Sequence, residues 1–433
     1  MKTKIKNVIN LIFVTTPMLL ISGMALADDK KPVLDTGDTA WLLTSTVIVL
    51  LMTIPGIALF YGGMVRKRNI LATLMQSFTI TCLVTVIWMV LGYSLAFSKG
   101  ASSFVGNLDL AFLSHLTVGA INGTIPDSVF VIFQATFAII TAALITGAVA
   151  ERMKFSALLL FIGLWSIIVY SPITYWVWGG GFLGSDGVLD FAGGTVVHIN
   201  SGVAALVAAV MIGKRKGFGT ENLAPHNVAL TMIGGSLLWV GWFGFNAGSA
   251  LGANGTAGMA MAVTQIAAAV AGLSWMFIEW VHNGKPTLLG VVSGAVGGLV
   301  AITPAAGFVS PAGAFFIGLV AGAVCYWGAA ILKPMLGYDD SLDVFAVHGL
   351  GGITGAILTG VFAVEAIGGT AGALEGNSAQ IVIQLKGIVA TILWSGIASA
   401  IILFVIDKVI GLRVDADAEA EGLDINQHGE RIN

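Results

Sequence analysis

The chain has 433 residues, of which 57% are hydrophobic and only 10% charged, against roughly 25% charged in an ordinary soluble domain. That composition excludes a typical soluble enzyme. With a mean hydropathy of +0.93 and repeated apolar runs of about 20 residues, it describes helices able to cross a hydrocarbon core of roughly 30 Å. The net charge of -3 singles out no partner, and neither a nucleic acid nor a cofactor is expected. The 57 glycines predict helices that pack backbone to backbone, and Cys82 and Cys325 both lie in apolar runs, which excludes a disulfide framework.

In chain order, Lys2, Lys4 and Lys6 precede an apolar stretch from about Val8 to Met24, followed by Ala25-Leu26-Ala27 and then Asp28 and Asp29. This pattern predicts a cleavable signal peptide over 1–27; the alternative is an uncleaved first helix, against which Pro17 and the A-x-A pattern speak. Eleven further spans are expected, near 41–63, 70–97, 127–149, 156–178, 191–212, 228–252, 257–281, 287–304, 311–333, 343–364 and 380–411. The basic residues test that count, because they should fall on alternate loops. Arg66-Lys67-Arg68, Arg152 with Lys154, Lys214-Arg215-Lys216, Lys285, Lys333 and Arg413 all follow odd-numbered spans. The even side keeps Lys30, Lys31, Lys99 and Lys386. The fold class is therefore an all-α polytopic membrane protein of eleven transmembrane helices, with the amino terminus outside after cleavage. A membrane domain over 28–412 is followed by a cytoplasmic tail over 413–433. The basic clusters read as membrane anchors, since Gly213-Lys214-Arg215-Lys216-Gly217 lacks the P-loop arrangement that a phosphate site would need. The acidic tail, with Asp415, Asp417, Glu419, Glu421, Asp424 and Glu430, is too short for a catalytic domain but long enough for a docking surface.

Ionisable residues inside spans are costly and mark function by default. His198 stands about eight residues into span 5 and His348 about five into span 10. If spans 1–5 and 6–10 are repeats, their odd helix number makes them inverted, with one final helix added, and the two histidines become equivalents. Such repeats commonly place a transport site at their interface. Gly193, Gly194, Gly202, Gly349, Gly351, Gly352 and Gly355 would let the imidazoles meet. A neutral pair offers a donor and an acceptor for a small polar molecule or a proton relay; alternatively each ring bonds a backbone carbonyl. A metal site is not expected, because no further ligand accompanies the pair at a suitable spacing.

Asp190 is read as a helix N-cap that would also favour cations at the outer mouth, and Asp343 as a cap at the start of span 10. Phe133, Phe137, Trp178 and Phe245 crowd the outer halves of their spans. Either they form an aromatic belt and packing layer, or their faces attract a small cation at roughly 0.5–2 kcal/mol each. Ser249 adds a hydroxyl acceptor.

Asp190-Phe191-Ala192-Gly193-Gly194-Thr195-Val196-Val197-His198, Trp242-Phe243-Gly244-Phe245-Asn246-Ala247-Gly248-Ser249 and Asp343-Val344-Phe345-Ala346-Val347-His348-Gly349 strongly resemble ammonium transporters of the Amt/Mep/Rh superfamily. So do Phe60-Tyr61-Gly62-Gly63 and Glu421-Gly422-Leu423-Asp424. The similarity runs from about 37 to about 429. The resemblance implies an eleven-helix protomer with inverted repeats in a homotrimer, one pore per subunit, in a bacterial inner membrane and serving nitrogen uptake. It implies an outer site for ammonium or methylammonium at Phe133, Phe137, Trp178 and Ser249, and a stacked gate of Phe137 and Phe245. Below these it implies a pore dyad of His198 and His348, with Asp190 organising the outer site. A PII-type signal protein is the implied cytoplasmic partner. Two other functions stand beside transport. One is an ammonium sensor acting through a partner, although no kinase or cyclase domain is expected after Arg413. The other is a channel for water or glycerol, which would call for paired Asn-Pro-Ala motifs.

Overall fold

The computed structural model describes residues 33–100 and 102–432; the signal peptide expected at 1–27 lies outside them. The chain is all-α in its membrane-facing part. Helical segments run α1 Thr36–Met64, α2 Lys67–Phe97, α3 Asp127–Val149, α4 Phe155–Ser185, α5 Gly194–Ile212, α6 Val228–Gly248, α7 Gly255–Asn283, α8 Leu288–Ile302, α9 Pro311–Leu336, α10 Phe345–Phe362 and α11 Ala379–Ile410. Two short helices, α12 Ala416–Glu421 and α13 Leu423–His428, form the tail. Ten of the first eleven are long and apolar enough to cross a membrane. The exception is α8, whose 15 residues span only about 22 Å at 1.5 Å per residue, and which stops just before Pro304, a residue with no amide hydrogen to continue the helical ladder.

Local chemistry accounts for where several helices start. Asp35, Asn227, Asn254, Thr287 and Ser310 each accept a bond from an amide in the first turn that follows, the task of an N-cap, and Pro311 occupies a first-turn position that needs no amide hydrogen. Burial then sorts the helices. α3 is buried along nearly its whole length and forms the centre, while large apolar side chains such as Val47, Phe78, Phe277, Ile401 and Phe404 point outward. A soluble monomer does not expose so much apolar surface, whereas a chain with ten helices long and apolar enough to cross a membrane does.

The loops that follow α1, α3, α5 and α9 meet on one face together with the tail. Glu151 accepts from Arg66 at 2.8 Å and lies 3.5 Å from Arg215. Arg215 also pairs with Asp339 at 2.9 Å, and Arg152 donates to the Asp339 carbonyl and to Ser341 Oγ, both at 2.6 Å. Loops of the other parity meet on the opposite face, where Asp35 donates to the Thr124 carbonyl at 2.8 Å and Ala253 to Asp38 at 2.7 Å. The grouping is the one that charge alternation predicts. The cations do more than anchor, however. Arg152 and Arg215 are buried, and their charges are spent on carboxylates and carbonyls within these loops.

Candidate functional site

The two histidines lie on α5 and α10, which cross closely. A methyl group added at Gly202 would collide with the backbone of Gly349, and one at Gly352 would stand 3.1 Å from the His198 Cβ. Each glycine is four residues past the histidine of its own helix and lies against the other helix at or beside its histidine. This reciprocity is what a pseudo-two-fold axis between the helices produces. Both helices open with a wide π-type turn, Gly194–Ile199 and Phe345–Leu350, in which the His198 amide reaches back to the Gly193 carbonyl at 3.0 Å. The histidines therefore stand fifth and fourth in their helices, nearer the helix starts than the predicted boundaries put them.

An aspartate eight residues before each histidine fixes these turns. The Asp190 carboxylate accepts from the amides of Gly193 (2.8 Å), Gly194 (2.5 Å), Thr195 (2.8 Å) and Val196 (3.2 Å), and also from the Thr195 hydroxyl. It is the N-cap that the sequence suggests, with its charge set against the positive helix end. On α10 the expectation needs correcting. The cap is Asp340, whose Oδ2 accepts from Phe345 N at 2.7 Å, and not Asp343. Asp343 has a positive φ of 60°, and its carboxylate pairs with Lys333 instead.

Between the capped turns the rings face each other, Nδ1 to Nδ1, at 3.2 Å, with planes 23° apart. At that separation one nitrogen donates and the other accepts, so a neutral pair takes opposite tautomers. His198 Nε2 is buried and has no hydrogen-bond partner among the described residues. It lines a cavity of about 10 Å³ with His348, Trp242, Phe245 and Ile140, close to the smallest space that holds one water-sized molecule.

Above this cavity, Phe137 and Phe245 stack at 4.2 Å and 21°. Next comes a cavity of about 340 Å³ lined by Phe97, Phe130, Gln134, Val177, Trp178, Phe191, Ser249 and Leu251. Trp178 is held there by its indole N–H, which donates to the Asp190 carbonyl at 2.9 Å. The Ser249 hydroxyl donates to the Phe245 carbonyl at 2.8 Å, which leaves its lone pairs toward the cavity. Phe133 is fully buried and does not line this space; it packs edge-on to Phe137 at 5.0 Å, while Phe130 and Gln134 of the same helix take the lining positions. Below the histidines a cavity of about 30 Å³ opens among His348, Tyr61, Leu342, Asp343 and Val347.

Trp242 is a site residue that sequence reading left inside a motif without a role. It stacks on His198 at 5.4 Å and 21° and is tied by its indole N–H to Thr303 Oγ at 2.9 Å. Its spacing of three residues from Phe245 on α6, which puts both on one helix face, was the available signal. For Asp340, the signal was the repeated eight-residue spacing.

A polytopic helical bundle with a row of small cavities interrupted by stacked rings defines a multi-pass membrane protein of the channel or transporter kind. The chain belongs to the Ammonium Transporter Family, whose model matches residues 40–432. It is 51% identical to an ammonium transporter of Aquifex aeolicus, covering 97% of this chain and 98% of that one. It is 48% identical to an ammonium transporter of Bacillus subtilis over 91% and 98% of the two chains. Among solved structures it resembles Saccharomyces cerevisiae Mep2, with a TM-score of 0.84, 36% identity and coverage of 89% of this chain and 88% of that one. It also resembles a protein described as a sensor Amt protein, with a TM-score of 0.84, 29% identity and coverage of 90% and 98%.

Proposed function

We propose that this chain moves ammonium or ammonia, and methylammonium as an analogue, across a bacterial inner membrane. A cation is first held in the outer cavity, where the face of Trp178 and the Ser249 oxygen attract it. Phe137, expected there too, does not line that cavity but packs edge-on to Trp178 at 5.9 Å and against Phe133, and Asp190 orders the surrounding backbone. Carrying the intact ion past the stacked pair of Phe137 and Phe245 into an apolar passage would cost many kcal/mol. Proton loss at the gate removes most of that cost, and the neutral molecule continues while His198 and His348 relay the proton. The observation that carries this reading is the order of parts along one line: outer cavity, stacked rings, then the imidazole pair with an unpartnered nitrogen. Crossing by all of α1–α11, the inverted relation of the two halves, a homotrimer, cleavage of 1–27, a cytoplasmic tail from 413 and PII-type docking all belong to the same reading.

The test is ammonium-evoked current in proteoliposomes. His198→Leu is expected to assemble normally yet lose the current or admit potassium, and His198→Leu/His348→Leu to add little further loss. Wild-type current and selectivity in His198→Leu would reject the relay. The likeness to the sensor Amt protein favours one second reading, ammonium sensing through a cytoplasmic partner. Wild-type protein that binds ammonium but passes neither current nor labelled methylammonium would select it.

A further inference from the structure

Independently of transport, three cations converge at the inner face. Lys67 and Arg68, in the opening turn of α2, and Arg431, beyond α13, border a cavity of about 240 Å³ that Ile425, Ile432 and Asp424 complete. Most neighbouring arginines are neutralised within the fold: Arg66 and Arg215 by Glu151 and Asp339, and Arg413 by Glu419. Lys67, Arg68 and Arg431 have no such pairing among the described residues. Nor does Asp424 neutralise them, because its Oδ1 is turned to the Ala72 amide at 2.8 Å, where the amino-terminal end of α2 balances its charge. The helix end is thus already occupied, and the cavity's positive potential comes from side chains. The tail shapes it as well. Gly422, at φ +109°, lies so close to the Arg68 stem that a Cβ there would stand 2.6 Å from Arg68 Cβ, so the cavity exists as described only with the tail docked.

We propose that this cavity binds a phosphate group carried on a small organic body and thereby fastens the tail to the first inner loop. Two guanidinium forks and one ammonium suit phosphate oxygens, and the isoleucines give the organic part an apolar wall. The phosphate comes either from an anionic lipid headgroup of the adjacent leaflet or from a soluble phosphate ester.

The full-length protein in phosphatidylcholine nanodiscs, titrated with glycerol 3-phosphate, tests the soluble source; nanodiscs containing phosphatidylglycerol test the lipid source. The readout is amide exchange over residues 412–430. One of the two probes is expected to slow exchange limited by tail release, by about tenfold at a free concentration roughly ten times Kd. Lys67→Gln/Arg68→Gln/Arg431→Gln is expected to lose that response while its exchange over α3 stays as in the wild type. No slowing with either probe, the same slowing in the triple variant, or equal slowing by chloride at matched ionic strength would each overturn the proposal.

Discussion

At the residue scale, Asp190 combines several structural duties in one carboxylate. Four amides, one hydroxyl and, through its carbonyl, the Trp178 indole depend on it. Because hydrogen bonds to a charged acceptor are worth about 1.5–3 kcal/mol each and the orphaned amides would be buried, Asp190→Ala should lower the detergent melting temperature as well as uptake. Asp190→Asn, which keeps one acceptor oxygen, should fall between it and the wild type. Asp340 gives a prediction of opposite sign. Burial pushes its carboxyl up to about 6, against the pull of Lys333 and with a further push from Asp343. The native state then holds this proton at pH values where the unfolded chain has lost it, so the contribution of Asp340 to stability falls as pH rises between about 4 and 6. Melting curves over that range should show Asp340→Asn lacking this decline. Asp339 runs the other way: although buried, it is held below the usual carboxylate range by Arg215 and Arg152, and its contribution is lost on acidification.

These residues were unequally visible in the sequence. His198, His348 and Asp190 could be picked out because a polar group in an apolar run is expensive and therefore noticeable. Trp242, Phe130 and Phe191 could not, since aromatic side chains in apolar helices serve packing as often as lining, and only the helix rotation separates the two. Asp340 and Asp343 both precede α10, and their roles are divided by a backbone angle that composition does not encode.

At the scale of elements, the close approach of α5 and α10 depends on having no side chain at Gly202. A methyl there meets the Gly349 backbone, which cannot rotate away as a side chain can. Overpacking of this kind costs about 1–3 kcal/mol. Gly202→Ala should therefore push the imidazoles beyond their 3.2 Å contact. The expected result is a stable assembly by size-exclusion chromatography with ammonium current reduced as severely as in His198→Leu; current equal to the wild type would mean that the dyad tolerates separation. Glycine content announced close crossings in general, and the flanking glycines pointed to this one. The wide turns that place both histidines near their helix starts left no mark in the apolar pattern, because one additional residue per turn changes the hydrogen bonding without changing hydrophobicity.

At the scale of the whole molecule, the tail acts as a clasp over the loops that follow α1, α3 and α5. Glu419, almost fully buried, accepts from the Lys216 amide at 2.6 Å and from Arg413 at 2.7 Å. Leu423 donates to Asn69 at 2.9 Å, and Gln427 accepts from Phe155 N at 3.3 Å. The acidic tail thus spends Glu419 and Asp424 internally, uses Asp415 to cap α12 through the Ala418 amide at 2.8 Å, and leaves Asp417 and Glu421 exposed. Glu419→Gln/Asp424→Asn should release the tail, detected as faster tryptic cleavage at Arg413 with the helical bundle unchanged by circular dichroism. The alternation of basic loops foretold which loops share this face, but not that their charges would be turned inward to hold one another.

The Leu423–Asn69 bond joins residues 354 positions apart, which gives the clasp an order in time. At a synthesis rate of about 5–20 residues per second, roughly 20–70 s pass between the emergence of one partner and that of the other. The loops after α1, α3 and α5 can join early through Glu151, but the tail carboxylates Glu419 and Asp424, which bind the Lys216 and Ala72 amides, are made last. Docking of the tail is therefore the last of these contacts to form, and a ribosome that stops after α11 releases a chain whose long helices and Glu151 and Asp339 ties are present but whose clasp is missing. Such a chain differs from the finished one mainly at the face where the tail docks.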